Sequence, residues 1–339
     1  MGGIFVKKLF GFLAVLLVST LVLAACSGGA GDKAKVAIGP AGSATNTVTT
    51  EILGAYGLEA GEHYEVYEEG FGDAADLLQD GNIDISSGVL GLPASSINNL
   101  QASVGDVKFL SISDDVIGDI EEKTGYMRFT IPADSYDFLE EDVQTVTAYA
   151  ILMGNTNTIS EELGYQLAKA MVENSSEITH AQGKQMILDN ALRGSEGLPI
   201  HPGAAKYYKE QGLEFDNPIA ELGDDANSMD LILGTGSSGG TYYPLGGEMA
   251  NVWKNNIDGL NVTSTETGAS LDNLASMRDG EMDLGMTVHV PAQDAVNGEG
   301  EFDGGAIENV AFIGHIYPEV IQIVTREETG IESFEDLQD

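Results

Sequence analysis

The chain has 339 residues, with 54 Asp and Glu against 15 Lys and Arg, a formal charge of −39, 42% apolar residues and one cysteine. A surface so acidic repels phosphate backbones and excludes nucleic acid as a partner, while the apolar fraction is that of a folded interior rather than a disordered chain. A single cysteine excludes a disulfide scaffold and a thiolate zinc cluster, and His63, His180, His201, His289 and His315 lack ligand-like spacing, so neither metal nor cofactor is expected.

In chain order, Lys7 and Lys8 precede an uncharged stretch, 9–25, that ends in Leu23-Ala24-Ala25-Cys26. A basic start before a short apolar run is the pattern of a secretory signal, too short for a typical membrane span. Leu-Ala-Ala-Cys resembles a prokaryotic lipobox, which implies a signal peptide over 1–25, a lipid anchor on Cys26 and a tether over 26–32. Removing Lys7 and Lys8 from the 15 bases leaves 13 against 54 acids, a charge of −41. Self-repulsion of that size is best tolerated in a saline habitat, because the Debye length falls to about 3 Å at 1 M salt.

One pattern then occurs twice. An apolar strand at 35–38 runs into Gly39-Pro40-Ala41-Gly42-Ser43-Ala44-Thr45-Asn46 and a helix; a strand at 64–67 leads through a second helix to Asp80-Gly81-Asn82-Ile83-Asp84. Later, Leu231-Ile232-Leu233 runs into Gly234-Thr235-Gly236-Ser237-Ser238-Gly239-Gly240-Thr241-Tyr242-Tyr243, and a strand at 261–265 leads to Asp279-Gly280-Glu281-Met282-Asp283. From first glycine to acidic turn is 41 residues in one copy, 39 to 80, and 45 in the other, 234 to 279. Such alternation predicts a mostly parallel, helix-covered sheet in each of two lobes. Between the copies, 161–173 has one apolar helical face, and 214–230 reads as an acidic linker.

Two Gly/Ser/Thr loops that each follow a strand and open a helix aim backbone N–H groups at the positive end of the helix dipole. Two lobes facing each other would thus form an anion-binding cleft. Gly234 to Gly239 also fits the dinucleotide pattern G-x-G-x-x-G, but the acid expected about 20 residues on is misplaced, since Asp258 precedes the second strand and Glu266 follows it. Gly236 to Gly240 fits G-x-S-x-G, which would make Ser238 the nucleophile of a serine hydrolase with His289 or His315; no His-Gly-Gly oxyanion segment precedes it.

The run from Gly234 to Gly247, with Thr267-Gly268-Ala269-Ser270, Asp283-Leu284-Gly285, Asn297-Gly298 and the segment 317–324, resembles the TAXI-type solute receptors of TRAP transporters. So do Val36 to Ser43, Gly91-Leu92-Pro93, Ile131-Pro132-Ala133 and 201–208. The resemblance implies an α/β, two-lobed type II periplasmic-binding-protein fold with a ligand cleft between the lobes. It implies a receptor outside the cytoplasm, monomeric and without enzymatic activity, that passes a glutamate-like or 2-oxo-dicarboxylate ligand to TRAP membrane permease subunits.

The order of the halves departs from the family, where the Gly-Thr-Gly-Ser half comes first, so the chain looks like a circular permutant. Its expected organisation is one lobe over 33–145, a crossover and returning helices over 146–213, the linker over 214–230 and the other lobe over 231–339. Crossover strands are expected near 319–325 and 146–153, with only the second keeping the lobes covalently continuous. By resemblance, Gly236, Ser237, Ser238 and Thr241 donate to a ligand carboxylate beside Thr267, Gly268 and Ser270, with Tyr242 as a wall. Ser43, Thr45 and Asn46 close from the other lobe near Gly91 and Pro93, and His289 is a further candidate contact. None of the four arginines lies in these loops, so dipoles and hydroxyls are expected to hold the carboxylate. Glu266, beside the Thr267-Gly268 loop, either pairs with a ligand ammonium or faces solvent.

Overall fold

A computed structural model describes residues 33–224 and 226–338, so the signal-like segment, the tether and Cys26 lie outside the described residues. The first copy of the repeat runs β1 (Ala34–Ala37), α1 (Ala44–Ala55), β2 (Tyr64–Tyr67), α2 (Phe71–Gln79) and β3 (Ile85–Leu90). Next come α3 (Ser95–Val104), β4 (Val107–Phe109), α4 (Asp114–Thr124), β5 (Met127–Ile131), β6 (Val143–Asn155), α5 (Glu161–Glu173) and α6 (Pro202–Glu210). The second copy runs β7 (Asp230–Gly234), α7 (Tyr242–Asn256), β8 (Asn261–Thr265), α8 (Ser270–Arg278) and β9 (Leu284–Val288). It is followed by α9 (His289–Asn297) and β10 (Val310–Arg326).

The strands form one mixed sheet in the order β2-β1-β3-β10-β6-β9-β7-β8, with β4 on β10 and β5 on β6. Within each copy the first strand lies between the second and third, all parallel, the geometry that strand-helix alternation produces. The acidic turns have the same structural task in both copies. The Asp84 carboxylate accepts the Lys35 N–H at 2.7 Å and the Asp283 carboxylate accepts the Ile232 N–H at 2.8 Å. Each therefore satisfies a donor at the start of its copy's first strand. Gly81 and Gly280, at φ +70° and +77°, supply the left-handed residue that ends the helix before the turn.

Two lobes share this sheet because β6 and β10 pass through both. β10 pairs with β6 from Val310 to Val320 and with β3 from Val320 to Thr325. Its first half packs Phe312, Ile316 and Tyr317 into the second-copy core with Leu231, Trp253 and Leu284. Its second half packs Ile321 and Ile323 with Val36, Ile52 and Leu53. These strands run longer than the expected 319–325 and 146–153. Two expectations are corrected. The chain beyond β10 does not stay in the second-copy lobe: Phe334 and Leu337 are buried in the first-copy core, and Phe334 stacks on Tyr56 at 4.7 Å. Both crossovers are therefore covalently continuous, since β6 and β10 each run unbroken from one lobe into the other.

Candidate ligand-binding site

The lobes meet around a cavity of about 60 Å3, several times the 10–15 Å3 that one water requires by that measure. Its wall is built from helix beginnings. Ser43, Ala44 and Thr45 open α1, Phe71 opens α2, Thr241 and Tyr242 open α7, Ala269 and Ser270 open α8, and Val288 is the N-cap of α9. Five helix N-termini from both lobes thus point partial positive charge at one cavity. No Lys or Arg lines it, and its one carboxylate is that of Glu319.

Local chemistry fixes these first turns. The Ser43 hydroxyl donates to the Pro40 carbonyl at 2.7 Å and accepts the Asn46 N–H at 3.1 Å, capping α1. Thr45 Oγ1 accepts the Val89 N–H at 3.1 Å, fastening the loop to β3. In α8 the N-cap Ala269 lies at φ 71°, ψ −142°; it is the one non-glycine residue at positive φ among the described residues. Such a conformation costs on the order of 1–3 kcal/mol and persists only where surroundings enforce it. Here the Thr267 hydroxyl accepts the Ala269 N–H at 3.0 Å and Asp272 accepts the Gly268 N–H at 3.0 Å.

Across the cleft, the Gly91 N–H donates to Thr241 Oγ1 at 2.9 Å and the Leu271 N–H donates to the Gly42 carbonyl at 3.1 Å. The backbones are so close that a Cβ on Gly72 would stand 2.9 Å from the Gly239 Cα, and one on Gly70 would stand 2.7 Å from the Ser237 Cβ. The two glycine-rich turns therefore touch, and glycine is required there for approach rather than for a left-handed conformation.

Of the residues expected at the site, Gly236, Ser237, Thr241, Tyr242, Gly268, Ser270, Ser43 and Thr45 line the cavity. The others do not. Ser238 is exposed, borders a separate surface groove, and its N–H donates to the Glu266 carboxylate at 2.7 Å. Thr267 is turned inward on its own loop, its hydroxyl donating to the Thr235 carbonyl at 3.1 Å. The Asn46 amide bonds the Gly39 carbonyl at 3.1 Å. Gly91 serves through its N–H behind the cavity, and Pro93, after a cis peptide bond, is exposed. His289 Nδ1 accepts the Tyr149 N–H at 3.1 Å, and burial lowers its pKa to about 4, which keeps it a neutral structural acceptor.

The hydrolase constellation is not assembled among the described residues, because Ser238 faces outward while His289 and His315 are buried on either side of Tyr149. No group of three or more His, Cys, Asp or Glu among the described residues is placed to hold a metal ion, and no described helix is long and apolar enough to cross a membrane.

Sequence reasoning missed Phe71, Ser87, Gly88 and Glu319, all in the wall. The Phe71 ring fills the space over Gly88, where a Cβ would lie 2.6 Å from its Cδ2. Glu319 had a readable signal, an acid set within the apolar run 310–324. It is 2% exposed, and its two carboxylate oxygens accept the hydroxyls of Tyr242 and Tyr317, each at 2.7 Å. Burial raises its pKa to about 8, the tyrosine hydrogen bonds offsetting only part of the desolvation.

The site thus lies where two lobes that share one mixed sheet, joined by two strands common to both, face each other. The chain belongs to the NMT1-like family, whose profile matches residues 30–212 and 233–339. Among solved structures it is similar to a phosphate-binding protein of a phosphate ABC transporter from Streptococcus pneumoniae, at 14% identity over 90% of this chain and 94% of that one, TM-score 0.39. It is also similar to a binding-protein component of an ABC phosphonate transporter from Pseudomonas aeruginosa, at 8% identity over 90% of this chain and 71% of that one, TM-score 0.41.

Proposed function

We propose that this protein is an extracytoplasmic solute receptor, of the TAXI type, that captures a small organic acid between its lobes and delivers it to a TRAP-type permease. One observation carries the reading: the first turns of five helices, from both lobes, surround a single cavity that no Lys or Arg lines. Backbone N–H groups and hydroxyls in such a place bind a carboxylate at short range, where the acidic surface is screened by salt. A glutamate-like or 2-oxo-dicarboxylate ligand fits that chemistry, held from one lobe by Gly236, Ser237 and Thr241 and from the other by the backbone of the α1 N-terminus, which Ser43 caps and Thr45 fastens to β3.

In this reading Cys26 carries the lipid that keeps the receptor at the outer face of the membrane. In the same reading the two halves stand in circularly permuted order about the linker 214–230. A thermal-shift panel of organic acids and amino acids at high salt, followed by calorimetry on each hit, tests the receptor. A bound ligand stabilises the folded protein by mass action, by about 2.7 kcal/mol when present at a hundred times its dissociation constant, and so raises the unfolding temperature. A panel without a single stabilising acid would remove the reading.

A further inference from the structure

Glu319 poses a problem for a site that binds an anion. It is the one carboxylate lining the cavity, in the middle of a crossover strand, and burying an acid is costly unless something compensates it. Its compensation within the protein is incomplete. Tyr242 on α7 and Tyr317 on β10 each donate one hydroxyl, but a carboxylate has about four acceptor positions, so two remain. The third ionisable group in its field is Tyr126, at the start of the segment leading into β5; its hydroxyl is buried and has no hydrogen-bond partner. All three neighbours are phenols that burial keeps protonated and neutral. Among the described residues, no Lys or Arg lines the cavity with it.

The acid that the sequence offered for an ammonium group, Glu266, is exposed and holds the Ser238 N–H instead. Resting on the receptor reading above, we infer that Glu319 is the specificity-determining residue of the cavity, pairing with a protonated amine so that an α-amino acid is selected over the matching 2-oxo acid. The helix N-termini take the ligand's carboxylate, and Glu319 takes the ammonium beside it. A 2-oxo acid places a carbonyl oxygen where the ammonium would stand, and two acceptors then oppose each other.

The pairing has a definite pH signature. With its pKa raised to about 8, Glu319 in the empty cavity is largely protonated at pH 6. An ammonium favours the ionised form, so binding below pH 8 expels the carboxyl proton to solvent, and affinity rises by up to roughly tenfold per pH unit until it levels off near pH 8. A ligand held instead by the protonated carboxyl, donating to a keto oxygen, would bind with nearly constant affinity up to about pH 8 and lose it only above.

The test is calorimetry on the wild-type protein at pH 6 and 8 with matched pairs: L-glutamate against 2-oxoglutarate, and L-alanine against pyruvate. We expect the tighter-binding pair to show its amino acid bound at least tenfold more tightly than its 2-oxo acid at pH 8, and that margin to shrink at pH 6. Glu319→Gln, which keeps the shape and lets its amide oxygen accept one tyrosine hydroxyl while its NH2 donates to the other, should abolish both the preference and the slope while ligand-free unfolding stays cooperative. A 2-oxo acid bound as tightly as its amine partner at pH 8, or affinity that does not rise from pH 6 to 8, overturns the inference while leaving the receptor standing. No binding by any member of the pairs or of the wider acid panel removes the receptor reading itself. The wild-type pH series stands even if Glu319→Gln fails to fold.

Discussion

The loop after β1 and the loop after β7 hold equivalent places in two copies of one repeat, yet their hydroxyls do opposite things. In the first, Ser43 caps its own helix, Thr45 holds Val89 of the adjacent strand, and Asn46 folds back on Gly39, so all three stay within one lobe. In the second, Thr241 makes no side-chain cap on α7 and instead receives the Gly91 N–H from the opposite lobe, while Gly239 and Ser237 abut Gly72 and Gly70. The side chains of the two turns thus build a wall in one copy and a clasp in the other, while the first loop reaches across the cleft only through its backbone, the Gly42 carbonyl accepting the Leu271 N–H. If the difference is functional, damage to the second loop acts on ligand-stabilised closure, and damage to the first acts on the stability of its own lobe.

The strongest way to break this comparison is at the closest approach of the lobes. A Cβ on Gly239 would collide with the Gly72 Cα, so Gly239→Val cannot enter the closed arrangement unstrained. Overpacking of that kind costs about 1–3 kcal/mol, or roughly five- to hundredfold in affinity. Calorimetry with the best ligand of the panel should show that loss, while the ligand-free unfolding temperature stays close to wild type; unchanged affinity would mean that ligand does not require the clasp. Next in size is Thr241→Val, which preserves shape but deletes the acceptor of the Gly91 N–H. An orphaned buried donor costs about 1–3 kcal/mol in the closed form only, because opening returns it to water. Affinity should therefore fall by roughly tenfold, and the ligand-induced thermal shift should shrink more than the ligand-free stability does.

The repeat was legible because its grammar is local. Gly81 and Gly280 must take left-handed backbone, the acids four residues after Asp80 and Asp279 must cap a strand edge, and strand-helix alternation dictates parallel pairing. The approach of the two loops followed from that grammar, and Ser43, Thr45, Ser237 and Thr241, named with it, line the cavity. What failed was orientation. Ser237 and Ser238 are adjacent and chemically identical, yet one lines the cavity and the other is exposed; Asn46 and Thr267 differ from true wall residues only in which way a side chain turns. Glu319 escaped because a highly acidic chain hides a buried acid among solvated ones, although its setting among Val and Ile residues separated it from them. The crossing of β10 was misjudged at the same place, since Pro318 and Glu319 interrupt an apolar run that is structurally continuous.

The smallest expected effect tests the wall. Ser43→Ala removes the hydroxyl that accepts the Asn46 N–H and donates to the Pro40 carbonyl, and loss of an N-cap costs about 1 kcal/mol of folding stability. Because both partners lie in the same loop, the cost is present whether the lobes are open or closed. It should lower the urea midpoint of the ligand-free and ligand-bound protein by the same amount and leave affinity within about threefold of wild type, well inside the 1.4 kcal/mol that a tenfold change represents. An affinity loss exceeding that of Thr241→Val would show that the Ser43 hydroxyl leaves its cap to hold the ligand. The first loop would then be a moving part like the second, and the contrast between wall and clasp would disappear.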